Sequence, residues 1–256
     1  MGIDYSPSAI RILELLGYAP VAKKIVEEFE QTNKIILPRI FSKFLEYIIQ
    51  NPLFSTADIW STRDPYSFYS ELEQLIEEDK ETWAKNPEEY EDDEYYQLSQ
   101  VPKEEWMDYI DDLLLIGSDY GAGIVTFGID INEFDEEDPA VYIRNEANSI
   151  QDWELLSESL SEFLKMTVCD VLSCIEYPTA QEVLEKSGWK YHVYKDPNTA
   201  FKLLMEKSIN LTEMETFPSI YESVQEVCCC YDDSENTLYV IRNDLKNYKM
   251  CVISKQ

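Results

Sequence analysis

Gly123-Ile124-Val125-Thr126-Phe127-Gly128-Ile129-Asp130-Ile131-Asn132 is the stretch on which the fold class turns. Val125, Phe127, Ile129 and Ile131 fall on one side of an extended chain. Thr126, Gly128, Asp130 and Asn132 fall on the other. A period of two predicts a strand. Just upstream, Leu113-Leu114-Leu115-Ile116 is a short apolar run closed by Gly117, and Gly117 to Gly123 reads as a tight turn between two strands. Downstream, the acidic turn Asp135-Glu136-Glu137-Asp138-Pro139 leads into a further strand at Ala140 to Ile143. Connections this short favour antiparallel pairing.

Helices surround this strand-rich centre. Pro7 lies near the start of the first, with Ile10, Leu13 and Leu16 at helical spacing and Gly17 at its end. Residues 20–33 predict a second, with Val21, Ile25 and Phe29 on one face. Leu37-Pro38 opens a third, whose stripe is Phe41, Phe44, Leu45 and Ile48, and Asn51-Pro52 stops it. Phe68, Leu72, Leu75 and Ile76 predict another over 66–85, and 86–102 reads as an exposed loop or short polar helix. Trp153, Leu156, Leu160, Phe163 and Leu164 predict one helix over about 151–172. The last third reads as a short helix from Thr179 to Gly188 and a strand from Trp189 to Tyr194. A helix opened by Asp196-Pro197 and a hairpin pairing Val224–Tyr231 with Thr237–Ile241 follow.

The expectation is therefore an α+β protein with a twisted, mainly antiparallel sheet and helices packed around it. One domain is expected at 1–172, with an acidic insert at about 60–105, and a C-terminal α+β extension at 173–256 ending in the hairpin.

With 256 residues, 45% hydrophobic and 13% aromatic, the chain can build a sizeable core. Its charge is unusual: 51 Asp+Glu against 21 Lys+Arg give a formal net of -30. Such a field repels nucleic acid and anionic membranes, so neither is expected as a partner, and it attracts basic proteins. No apolar run reaches the roughly 20 residues a bilayer span needs. Met1-Gly2-Ile3-Asp4-Tyr5 lacks the basic and apolar regions of a signal peptide. A cytoplasmic location is expected, with Cys169, Cys174, Cys228, Cys229, Cys230 and Cys251 as reduced thiols.

The charge is also localised. Residues 71–179 carry 31 acids and 5 bases, a net of -26. Within them, tyrosines interleave with carboxylates. Glu88, Tyr90, Glu91, Asp92, Asp93, Glu94, Tyr95 and Tyr96, with Asp119 and Tyr120 further on, are the candidate partner-binding residues. Carboxylates supply long-range attraction, and aromatic side chains supply anchoring. Trp106 follows closely and is expected in the core.

No motif for catalysis stands out. Gly117-Ser118-Asp119-Tyr120-Gly121-Ala122-Gly123 has no Lys-Ser/Thr pair after it and precedes a strand, unlike a phosphate loop. Cys228-Cys229-Cys230 alternates faces in a strand, so its thiols do not converge on one metal ion. His192 is the single histidine, which leaves few ways to assemble a Ser-His or Cys-His pair. No cofactor, metal or enzymatic activity is expected, although 51 carboxylates leave a carboxylate-dependent hydrolase open as an alternative.

Several segments, taken in order, resemble the SUKH superfamily. These are bacterial immunity proteins related to a yeast cell-wall-synthesis regulator. They are Glu27-Glu28-Phe29 to Leu37-Pro38, then Phe41 to Tyr47, Leu115 to Gly123, Val125 to Ile131, Pro139-Ala140-Val141-Tyr142, and Trp153 with Leu156 to Leu164. The similarity spans roughly residues 20–168. The family's Asn-Gly-Gly after the second helix is here Asn51-Pro52-Leu53-Phe54. The resemblance implies a SUKH-like α+β fold and a non-catalytic role, binding and neutralising a cognate toxin domain, often a nuclease. A regulatory interaction scaffold of the yeast type is the alternative it leaves open.

Overall fold

A computed structural model describes residues 2–55, 66–119, 125–133, 136–145, 149–173, 179–217, 224–244 and 248–255. The chain begins with β1 (Ile3–Asp4), α1 (Ala9–Leu15), α2 (Lys23–Asn33), α3 (Arg39–Ile48) and α4 (Pro52–Ser55). Then come β2 (Tyr66–Ser67), α5 (Phe68–Trp83), α6 (Glu94–Ser99), β3 (Leu113–Asp119), β4 (Val125–Asp130), β5 (Val141–Asn145) and β6 (Glu154–Ser157). The rest is α7 (Leu160–Ser173), α8 (Thr179–Lys186), β7 (Trp189–Tyr194), α9 (Pro197–Glu206), β8 (Thr216–Phe217), β9 (Val224–Asp232), β10 (Thr237–Asp244) and β11 (Tyr248–Lys255). The fold is α+β, and every described strand pair is antiparallel.

The described strands form two sheets, and the chain divides into two compact units. One unit comprises 1–28, 40–57 and 161–256; the other comprises 29–39 and 58–160. The expected division at 172/173 does not match these bounds. The first helices fall in the same unit as the C-terminal sheet, although more than a hundred residues separate them in the chain. The tight turn expected before Gly123 falls outside the described residues from Tyr120 onward.

In the unit built on 58–160, the sheet runs β2-β3-β4-β5-β6. A bulge between Leu115 and Gly117 shifts the register of β3, so Gly117 lies within the strand and does not close it. Leu113, Leu114, Leu115 and Ile116 are all buried, as are Thr126, Phe127 and Ile129 of β4. The alternation set two sides of the strand apart, and both sides of β4 are covered. Ile131 leaves the strand and starts a short 3-10 turn, Ile131–Glu133.

The helix expected over 151–172 is in fact β6 followed by α7. Ser157 Oγ donates to Ser159 O at 2.8 Å and accepts from Ser159 N–H at 3.3 Å. This local turn and the Leu160 N–H bond to Pro139 O break any continuous helix. The hydrophobic spacing crosses the break without registering it.

In the other unit, the sheet runs β1-β9-β10-β11-β7, with β8 also on β9. The expected hairpin is present, Thr237 opposite Asp232 through Ile241 opposite Cys228. It does not end the fold: β11 continues it and pairs with β7. Cys228 and Cys230 join the cluster of Ala200 and Leu204 from α9. Cys229 instead meets Cys169 of α7, so the three adjacent thiols do alternate between faces. The five described cysteines are buried free thiols, and Cys174 lies outside the described residues. On α9, Phe201 and Met205 are exposed.

The N-terminal helices show why spacing alone misplaces a face. Phe41, Phe44, Leu45 and Ile48 of α3 are buried as expected, each contributing about 2 kcal/mol. For α2, however, Ala22 and Val26 are buried while Val21 is 68% exposed and Ile25 38%. The buried stripe is rotated by one residue from the expected one. Asn51 does not merely stop α3. Its Oδ1 accepts from Leu53 N–H at 3.0 Å, so it caps α4. Gly17 and Gly188 follow α1 and α8 at φ +87 and +85, where side chains are strained.

One buried cation ties this unit together. Lys165 of α7 is 4% exposed, and its Nζ donates to Ser6 Oγ at 2.7 Å and to Glu215 Oε2 at 2.9 Å. Ser6 Oγ also donates to Glu215. That hydroxyl, and then the ammonium, hold the Glu215 carboxyl below the usual carboxylate range.

Two outcomes follow from this packing. A Cβ at Gly128 lies 2.9 Å from Leu113 Cβ, so Gly128→Ala costs about 1–3 kcal/mol in urea unfolding. Because folding depresses the Glu215 pKa, its stabilisation is present above the unfolded value and lost as pH falls through the folded one. Glu215→Gln is therefore less stable than the native chain at pH 7, and the difference shrinks below about pH 4 in parallel unfolding curves.

Candidate functional site

The acidic segment that the sequence singles out lies in the unit built on 58–160. Pro87–Glu89 forms a 3-10 turn, and α6 follows with Asp93 as its N-cap, Oδ1 accepting from Tyr96 N–H at 2.9 Å. Glu88, Glu91, Asp92 and Glu94 are exposed, and Asp93 is half-buried.

The tyrosines go the other way. Tyr90, Tyr95 and Tyr96 pack on the cluster of Leu72, Ile76, Trp83, Leu98 and Trp106. Tyr96 meets Trp83 edge-on, with centroids 5.7 Å apart. Tyr95 Oη accepts from Arg144 Nη1 at 3.4 Å, and Arg144 is itself buried over the Trp153 ring at 5.8 Å. The expected mixed surface of acids and aromatics is thus sorted: acids outward, rings inward. Burial of the rings stabilises more than their exposure would; Tyr95 and Tyr96 are carried by α6, and Tyr90 by the end of the 3-10 turn before it. Trp106 is in the core, as its sequence context predicts. Asp119 closes β3, its side chain and all of Tyr120 being outside what is described.

A groove of about 370 Å³ opens beside the acidic segment. Its apolar floor is Leu98, Val101 and Ile150. Tyr109, 48% exposed, forms one wall, and Glu94 and Gln151 stand at its edge. Glu94 Oε2 accepts from Ile150 N–H at 2.8 Å, which clips α6 to the segment before β6. Trp106 Nε1 donates to Val101 O at 3.1 Å, and Tyr109 N–H bonds to Trp106 O at 2.8 Å, which sets the wall. Sequence reasoning did not place the groove, because Ile150 and Tyr109 are far apart in the chain and neither belongs to a periodic run.

The electrostatics of the two units differ. Residues 29–39 and 58–160 carry 31 acids and 7 bases, a net of -24. The remaining residues carry a net of -6. The charge that the sequence localises to a segment therefore belongs to a structural unit. Within it, the Tyr142 hydroxyl is pushed up by burial and by Glu133 and Asp130.

Among the described residues, no three His, Cys, Asp or Glu side chains come together as metal ligands would. His192 is exposed on β7, against the Tyr194 ring. Among the described residues, no helix is long and apolar enough to cross a membrane. Comparison with family models, with curated proteins and with solved structures finds no match to this chain.

The double role of Asp93 can be separated. Asp93→Ala removes the cap and lowers stability by about 1 kcal/mol, whereas Asp93→Asn keeps the cap and removes only the charge. Equal urea midpoints for the two variants would reject the capping role.

Proposed function

We propose that this chain acts by binding, as an immunity protein that neutralises a basic toxin domain through the acidic face of one unit. The observation that carries the proposal is the concentration of -24 within residues 29–39 and 58–160, against -6 elsewhere. General acidity for solubility would charge both units alike. The ordered similarity of residues 20–168 to SUKH immunity proteins supports the same reading and supplies the kind of partner.

The mechanism is occlusion with charge complementarity. The exposed carboxylates Glu88, Glu91, Asp92 and Glu94 attract Lys and Arg on the partner's substrate-binding surface, which in a nuclease is basic to hold phosphates. Once seated, the partner's own site is covered. No chemistry on the partner is required. The proposal also places the protein in the cytoplasm of a bacterial cell, where its buried free thiols stay reduced.

Co-expression with the product of the adjacent gene tests it: the expected product is a basic toxin domain, growth is restored and a 1:1 complex is isolated. The association rate falls at least tenfold between about 50 mM and 1 M salt, as the Debye length shrinks from over 10 Å to about 3 Å. The triple change Glu88→Gln, Glu91→Gln, Asp92→Asn slows association with little effect on stability. Salt-indifferent association, or unaltered toxicity on co-expression, rejects the proposal.

A further inference from the structure

We infer that the groove beside α6 is an arginine-binding subsite: it takes one arginine side chain of a basic protein partner. The inference rests on the acidic-surface reading above and adds to it the place and the side chain.

The floor is apolar, formed by Leu98, Val101 and Ile150, and suits a three-carbon stem. Tyr109 stands half-exposed at the wall, a ring on which a planar guanidinium stacks. Glu94 stands at the edge. Its Oε2 is held by Ile150 N–H, so the carboxylate is fixed in place, and its Oε1 accepts nothing among the described residues. A fixed carboxylate beside a ring matches a guanidinium, whose donors are rigid and planar, better than a lysine ammonium. Exposed acids adjoin the lining residues in sequence, Asp108 next to Tyr109 and Asp152 next to Gln151, and among the described residues no Lys or Arg lines the groove. Charge complementarity thus selects a cation, and the floor and ring select arginine among cations.

The test uses the whole chain and two probes, the acetylated amides of Gly-Arg-Gly-Arg-Gly and Gly-Lys-Gly-Lys-Gly, titrated by NMR at low salt. The expected result is amide shifts concentrated at residues 94–101, 109 and 149–151, with the arginine peptide about threefold tighter. Tyr109→Ala removes that preference, Tyr109→Phe keeps it, and Gln151→Trp, which fills the groove from an exposed position, abolishes the local shifts. Glu91→Gln, outside the groove, weakens both peptides equally. Equal affinity for the two peptides, with shifts spread along the acidic segment and no effect of Gln151→Trp, overturns the subsite and leaves the acidic-surface reading standing. Failure of either peptide to bind at low salt overturns both.

Discussion

The unit built on 58–160 depends on a sheet whose central strands have no solvent face. Leu113 to Ile116 and Thr126 to Ile129 are buried at consecutive positions, on both sides of the pleat. The positions of such strands that are covered on both faces carry no charge, because an unpaired ion there costs several kcal/mol, and Asp119 and Asp130 lie at the strand ends. Most acids of this unit are consequently displaced onto helices, 3-10 turns, connections and strand ends. The localisation of charge is thus a consequence of how the sheet is covered, and the acidic face inherits its position from the core. Arg144 on β5 is the exception: it is buried, and its charge is met by Tyr95 and the Trp153 ring.

Local patterns were readable where one neighbour dominates. The stripe of α3, the hairpin of β9 and β10, and the Asp196 cap of α9 each follow from residues a few positions apart. The helix predicted through Trp153 to Leu164 failed because β6 and α7 share a hydrophobic spacing, while a serine turn between them decides the outcome. The α2 face was misplaced by one residue, since Val21 and Ala22 are both apolar and only tertiary packing chooses between them. β11 was missed because Met250, Cys251 and Ile253 read weakly until β7 and β10 flank them.

The candidate site was legible in its charge and not in its geometry. The acids from Glu88 to Glu94 are where the sequence puts them. The tyrosines between them face the core, because α6 offers them cover against Trp83 and Leu98. The exposed ring beside the acids is instead Tyr109, brought there by the 3-10 turn Lys103–Asp108 and the Trp106 bond to Val101. Composition names the kinds of side chain at such a surface; the turns decide which of them reach it.

The path of the chain has a temporal consequence. It passes between the two units at 28/29, 39/40, 57/58 and 160/161. On a ribosome, every residue of the acidic unit has been made once position 160 is reached. The other unit still awaits β7 to β11, the sheet that shares a unit with α1 and α3. Synthesis therefore delivers the acidic unit first, while the earliest helices wait for the last strands. No single cut of the chain separates the two units, and the path of the chain alone sets the order in which they are finished.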